Sequence, residues 1–414
     1  MRRLIALLFL PALLAACDSN SESTDPAAYR HQAFYAQLVQ CARDFVIVEG
    51  DWKEDFGDSA FYGPAFYAHA GTNDGNQSFL DLARTAHERN LVVINEEDVL
   101  TGDTNEIAMA ALGIIEYIDA TGDRSKLAEL DLLIEEKINL LVNTLGYYLE
   151  PSLLGDDDYA MGTYGPTSIN GLMALISLQR AYVLGGDEIK SRIVPFAEQV
   201  TAKIDERAWN GSYYDFDDGA ERPGLFLYPN ITMIIVNARL FQLTGKEQYR
   251  ERALAIHQGI QPLKITEERG WIGVGRYRSP YSQISMGAQT DNYTTLSSSN
   301  YTMFALMLLY LITDDEQYLE EMNPILDFLH DYLMGESCLS DFYPDPCQPI
   351  CEGGMDGKAC VDNTCLDDVC HCGVMHHWMD GRIAIPSDPE FFCDGCNHQL
   401  LYLMWYRQNK IERD

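Results

Sequence analysis

The sequence predicts an all-α protein in which six helical hairpins close into a ring, with a cysteine-rich insertion near the end. Three observations predict it. A unit of apolar helix, short Gly/Asp turn and amphipathic helix recurs along the chain. The first helix of each unit is apolar nearly all round and so needs burial on most sides. The chain ends also supply one lone helix each, and the two make a further hairpin only if the ends meet.

Four copies of the unit read clearly. A helix over 108–120 leads through Thr121-Gly122-Asp123 into a helix over 127–145. A helix over 172–184 leads through Gly185-Gly186-Asp187 into 189–204. A helix over 232–243 leads through Thr244-Gly245-Lys246 into 249–260. A helix over 301–312 leads through Thr313-Asp314-Asp315 into 318–334. A fifth copy comes first: 60–70, a turn at Gly71-Thr72-Asn73-Asp74, then 79–91. The run Ala-Leu-Met-Leu-Leu-Tyr-Leu-Ile at 305–312 shows why the first helix of a unit lies inside. In the second, Glu247, Arg250 and Glu251 oppose Tyr249, Ala253, Leu254 and Ile256, so that helix lies outside with one face wet. Glycine supplies the left-handed residue that ends the inner helix, and aspartate can cap the outer one. A helix over 29–48 precedes the first copy and an apolar helix over 398–406 follows the last. Together they form the sixth hairpin.

This repeat and its turn motif resemble the six-hairpin glycosidase superfamily over nearly the whole chain from residue 29 onward. The resemblance implies an (α/α)6 toroid over 29–414, with 338–396 as the insertion, and a carbohydrate-active enzyme. It rests on the repeat and not on a catalytic signature. An open helical solenoid or a bundle is the alternative arrangement of the same hairpins.

The connections are unequal. Inner-to-outer turns take a few residues, whereas outer-to-inner connections run over 49–59, 93–102, 146–165, 206–229, 261–291 and 335–395. Long loops in a compact domain carry function, and in an alternating ring all of these emerge over the starts of the inner helices. They are rich in aromatics, among them Trp52, Tyr159, Tyr164, Trp209, Tyr213, Tyr214, Tyr228 and Trp271. Aromatic faces stack on sugar rings, and equally pack a loop onto its scaffold. The same loops are rich in aspartate. Paired carboxylates beside aromatics suit glycoside cleavage, one protonating the leaving oxygen and the other activating water or attacking.

The catalytic candidates are Asp103, Glu106, Asp158 and Asp291, at or near the entries to inner helices. Capping explains Asp103, Glu106 and Asp291 as well. Consecutive aspartates occur at 156–158 and 217–218. Tyr159, Tyr164, Tyr228 and Trp271 are candidates for substrate binding, with His398 at the start of the closing helix. Arg276 and Arg278, in a glycine-rich stretch after Trp271, could hold an anionic sugar substituent or pair with loop acids.

Of eleven cysteines, Cys41 stands alone and nine lie within 338–396: Cys338, Cys347, Cys351, Cys360, Cys365, Cys370, Cys372, Cys393 and Cys396. These with Cys41 make an even set of disulfide candidates in an oxidising compartment. Cys370-His371-Cys372 with His376 and His377 offers zinc-type donors, but disulfides are the expected use, and no metal or cofactor is assigned.

The beginning of the chain sets the compartment. Arg2 and Arg3 precede an apolar run over 4–14, too short to span a bilayer. Leu14-Ala15-Ala16-Cys17 resembles the lipobox of bacterial lipoproteins. That implies a signal peptide over 1–16, lipidation at Cys17, a tether over 17–28 and anchoring at the periplasmic or cell-surface face of a bacterial membrane. The charge fits a neutral ligand: 63 acidic against 29 basic residues give a net −34, which repels nucleic acid. The resemblance, with the aromatic and carboxylate-rich connections, implies a glycan as partner, handled by a monomer. The expected reaction is glycoside hydrolysis. Polysaccharide lyase activity, or non-catalytic binding of glycan or peptide, is the alternative.

Overall fold

The computed structural model describes residues 47–48, 51–52, 59–96, 104–125, 127–128, 130–131, 166–216, 224–225, 227–266, 272–274, 293–328, 365–366, 369–370, 377–379 and 382–384. Nine helices carry the fold among these: α1 Ser59–Asp74, α2 Gln77–Glu96, α3 Thr104–Thr121, α4 Pro166–Val183, α5 Asp187–Ala208, α6 Leu227–Thr244, α7 Glu247–Gly259, α8 Leu296–Thr313 and α9 Gln317–Phe328.

Burial separates the helices into two layers. In α6, Ile231, Met233, Ile234, Ile235 and Val236 are all buried, which places every side of the helix against protein. The run from Tyr301 to Leu309 in α8 is buried in the same way. The buried residues of α7 are Tyr249, Ala253, Ile256, His257 and Gly259, spaced along one face. Helices α1, α3, α4, α6 and α8 pack on one another in that order. Helices α2, α5, α7 and α9 each pack on their own inner partner, and α2 and α5 also lean on the next inner helix. One hydrophobic core runs through the inner layer and the inward stripes of the outer one. At about 1.5–3 kcal/mol for each fully buried large aliphatic side chain, this layering is the main source of stability.

The turns repeat closely. The residue ending each inner helix is left-handed: Gly75 (φ 62), Gly122 (φ 71), Gly185 (φ 69), Gly245 (φ 68) and Asp314 (φ 59). Where a threonine precedes it, the hydroxyl bonds back to the helix. Thr121 Oγ1 donates to Tyr117 O at 2.8 Å, and Thr244 and Thr313 do the same to Leu240 O and Leu309 O at 2.6 Å. The same oxygens accept from the backbone N–H of Asp123, Lys246 and Asp315. Each threonine thus satisfies groups that a helix end would leave open.

The first hairpin differs from its expected boundary. Helix α1 continues to Asp74, and the turn falls at Gly75-Asn76. Asn76 N–H donates to Gly71 O at 2.9 Å, closing a Schellman-type end. Gly71 is therefore helical, and it is glycine for contact. A Cβ there would lie 2.9 Å from the Leu80 side chain, so α2 could not cross so closely. Asn76 Oδ1 then caps α2, accepting from Ser78 N–H at 3.1 Å.

Short antiparallel ribbons occupy the long connections: β1 Ile47–Val48 with β2 Asp51–Trp52, β3 Asp215–Phe216 with β4 Gly224–Leu225, and β5 Lys264–Thr266 with β6 Ile272–Val274. β7 Tyr293–Thr295 pairs with β10 His377–Met379, which pairs with β11 Arg382–Ala384. β8 Cys365–Leu366 pairs with β9 Val369–Cys370. Residues 47–48 are thus strand, not the end of the helix expected over 29–48. The remainder of that helix, the helix over 398–406 and most of 127–145 lie outside the described residues. No helix among the described residues is long and apolar enough to cross a membrane.

A left-handed glycine with open space around it isolates the backbone contribution. A Cβ on Gly245 would meet nothing within 4 Å. Gly245→Ala is expected to cost about 1 kcal/mol in urea unfolding, whereas Asp314→Gly should cost nothing or stabilise. A neutral Gly245→Ala would contradict this account of the turn.

Candidate functional site at the long-connection face

The inner helices start on the face where the long connections lie, and the ribbons build up that face. β4 leads into α6, and β7 runs directly into α8. Because β10 pairs with β7, part of the cysteine-rich insertion is fastened at the entry to α8. Glu106 falls in the first turn of α3 and Tyr228 in the first turn of α6, with α4 between these two helices. Both residues thus belong to inner-helix starts. Asp103, Asp158, Asp291, Tyr159, Tyr164, Trp271, Arg276, Arg278, His398 and Cys17 lie outside the described residues. So do the cysteines other than Cys365 and Cys370, which are register partners across the β8–β9 ladder.

The best-defined part of this face is the turn after α5. Asn210 Oδ1 accepts from the N–H groups of Ser212 (3.0 Å) and Tyr213 (3.1 Å), and Trp209 bridges Tyr214. Asn230, one turn into α6, acts as a piece of strand. Its Oδ1 accepts from Tyr214 N–H at 2.8 Å, and its Nδ2 donates to Tyr214 O at 3.0 Å. The Tyr214 hydroxyl donates to Asp205, which also meets Arg252 Nη1 at 3.0 Å. The Arg252 guanidinium lies 4.0 Å above the Trp209 ring. Burial raises the Asp205 carboxyl above its ordinary range, against the pull of Tyr214 and Arg252. Burial, then the Asp205 charge, raises the Tyr214 phenol. Trp209 and Tyr214 therefore anchor the loop to its scaffold, the packing role weighed for such aromatics. This anchor delivers the chain into β3 at Asp215.

A second polar assembly escaped the sequence reading. Six residues before the left-handed residue, successive inner helices place His69, Glu116, Gln179 and Arg239, with Leu308 in α8. All four polar residues are buried and linked. Glu116 Oε2 lies 3.4 Å from His69 Nε2, and Glu116 Oε1 accepts from Gln179 Nε2 at 2.8 Å. Gln179 Oε1 accepts from Arg239 Nε at 2.9 Å, and Arg239 Nη1 donates to Gln242 at 2.7 Å. The Arg239 guanidinium also lies 3.9 Å over the Tyr182 ring. This layer lies near the short-turn face, away from the long connections. Aligning the repeats on their turns would have exposed it, since each of these residues interrupts an otherwise apolar helix.

No family model and no curated protein matches the chain, but solved structures do. A cellobiose 2-epimerase from Spirochaeta thermophila superposes with a TM-score of 0.61 at 12% identity, covering 95% of this chain and 100% of that one. The chain carries the (α/α)6 toroid fold. A sugar epimerase from a ruminal bacterium superposes on the toroid with a TM-score of 0.58 at 14% identity, over 92% and 98% of the two chains. An inactive variant of a Salegentibacter alpha-1,6-mannanase, in complex with alpha-1,6-mannotetrose, gives 0.53 at 13% identity, over 92% and 99%.

If the Tyr214 hydroxyl anchors the loop through Asp205, Tyr214→Phe should lower stability by about 1–2 kcal/mol. Chemical denaturation measures this, and an unchanged midpoint would remove the anchor from the account.

Proposed function

We propose that this toroid is a carbohydrate-processing enzyme, and specifically a glycoside hydrolase acting on extracytoplasmic glycan from the long-connection face. The observation that carries the reading is the near-complete superposition on sugar-processing toroids. The carboxylate-rich and aromatic connections of this chain support it. One carboxylic acid protonates the glycosidic oxygen while a second carboxylate activates water or attacks the anomeric carbon. Asp103, Glu106, Asp158 and Asp291 are the residues proposed for these roles. The superposed mannanase variant is inactive with two consecutive aspartates replaced by alanine. The consecutive Asp156, Asp157 and Asp158 offer the same pairing here, which favours Asp158. Tyr159, Tyr164, Tyr228 and Trp271 are proposed to stack on the sugar, with Arg276, Arg278 and His398 as polar contacts.

The epimerases among the superposed structures favour a second reading, inversion of one sugar carbon without cleavage. The two separate cleanly, since hydrolysis releases new reducing ends and epimerisation does not. Leu14-Ala15-Ala16-Cys17 further supports a lipid anchor at Cys17, which would hold the toroid beside extracytoplasmic glycan.

The test is a panel of oligosaccharides, including mannose-containing ones, read for binding, new reducing ends and altered stereochemistry. Hydrolysis predicts product from the wild type and a loss of roughly 100-fold or more for at least one of Asp103→Asn, Asp158→Asn and Asp291→Asn. Binding without product from the wild type would overturn the hydrolase reading. Cys17→Ser should release the protein from the membrane fraction, and a variant that stays bound would overturn the anchor.

A further inference from the structure

We infer that His69, Glu116 and Asp119 form a binding site for a divalent transition-metal ion of the zinc class, at the short-turn face between α1 and α3. The ligand atoms of the three residues all lie within 4.8 Å of one another. The 3.4 Å separation of His69 Nε2 and Glu116 Oε2 is long for a hydrogen bond. It matches the edge of a tetrahedron, about 3.3 Å, around an ion with bonds of about 2.0–2.1 Å. His69 and Glu116 are buried while Asp119 is exposed. The site is therefore rigid at its base and open to solvent for entry and for a water in the fourth position.

The surroundings favour a cation. Glu116 is fixed by a bond to Gln179 Nε2, and Gln179 by Arg239. Bonds of this kind orient a ligating carboxylate and leave its other oxygen aimed at the ion. The site also lies in the last turns of α1 and α3, where unpaired carbonyls give each helix end a partial negative charge. Thr72 Oγ1 donates to Ala120 O at 3.3 Å and holds those two ends together. An imidazole with two carboxylates selects zinc or a similar ion over calcium and magnesium, which prefer oxygen alone. Bound there, the ion would staple two inner helices of the ring at the face opposite the proposed glycan site.

The alternative is a simple imidazole–carboxylate pair of His69 and Glu116 that holds no ion. Titration of the full-length chain, purified in detergent and stripped with chelator, distinguishes the two. Cobalt(II) serves as the optical probe and zinc as the competitor. The site predicts one equivalent of cobalt with visible d–d bands, displaced by zinc, and a thermal midpoint that rises with metal and falls with chelator. Measured against its own metal-free midpoint, Asp119→Asn should weaken the affinity roughly tenfold or more. Glu116→Gln should weaken it at least as much. Absence of binding would overturn the inference. So would binding that both variants leave intact with intense thiolate-to-metal charge-transfer bands, since the ion would then belong to the cysteines.

Discussion

A helix that is apolar on nearly every side cannot remain at a surface, and this chain has such helices at regular intervals. Burying α6 and α8 all round requires neighbours on every flank. A ring of inner helices backed by outer helices supplies them. Neighbouring outer helices then meet through half-buried polar pairs. His257 of α7 meets Glu321 of α9 at 3.2 Å, and Arg252 of α7 meets Asp205 of α5 at 3.0 Å. Arg180 of α4 forks onto Asp131 at 2.6 and 2.9 Å, joining the inner layer to the neighbouring outer segment. Polar side chains inside such a ring are costly unless paired, and here His69, Glu116, Gln179 and Arg239 share one level and are linked to one another.

The same constraint determines where chemistry can occur. A left-handed residue closes each described inner helix, joined by a threonine in three of them, which leaves little room for insertions at that end. The other end has no such limit, and the described ribbons of the long connections, with β10 and β11 on β7, lie there. The anchor made by Tyr214, Asn230, Asp205 and Arg252 shows how one of those connections is held before it enters β3. Catalytic groups held on rigid elements keep their geometry, which favours carboxylates near inner-helix starts over those at loop tips. The His69–Glu116–Asp119 cluster lies at the closed end and serves the ring, not the cleft.

Much of the ring was legible because its signals are local. Thr-Gly-Asp, Thr-Gly-Lys and Thr-Asp-Asp mark three inner-helix ends, and the apolar run at 305–312 identifies an inner helix unaided. The first turn was misplaced because Gly71 looks like a terminator. Its actual role, admitting Leu80, depends on a contact that only the packed hairpin reveals. The ribbons were not foreseen, since strands of two or three residues have no periodicity to read. The aromatics Trp209 and Tyr214 could not be divided between substrate and scaffold until Asp205 and Arg252 were seen beneath them. The polar layer was legible in principle, but His69, Glu116, Gln179 and Arg239 differ in type and lie 47 to 63 residues apart along the chain. Only the common offset from each turn unites them.

The claim that consecutive inner helices are coupled through this layer is tested most directly by a double-mutant cycle on Gln179 and Arg239. Gln179→Met and Arg239→Met should each cost about 1–3 kcal/mol in denaturant unfolding, because each leaves a buried partner unsatisfied. The double variant should cost less than the sum by about 0.5–3 kcal/mol, since it removes both halves of the bond. Additive effects, or single variants close to neutral, would contradict the coupling and reduce the layer to a row of unrelated polar residues.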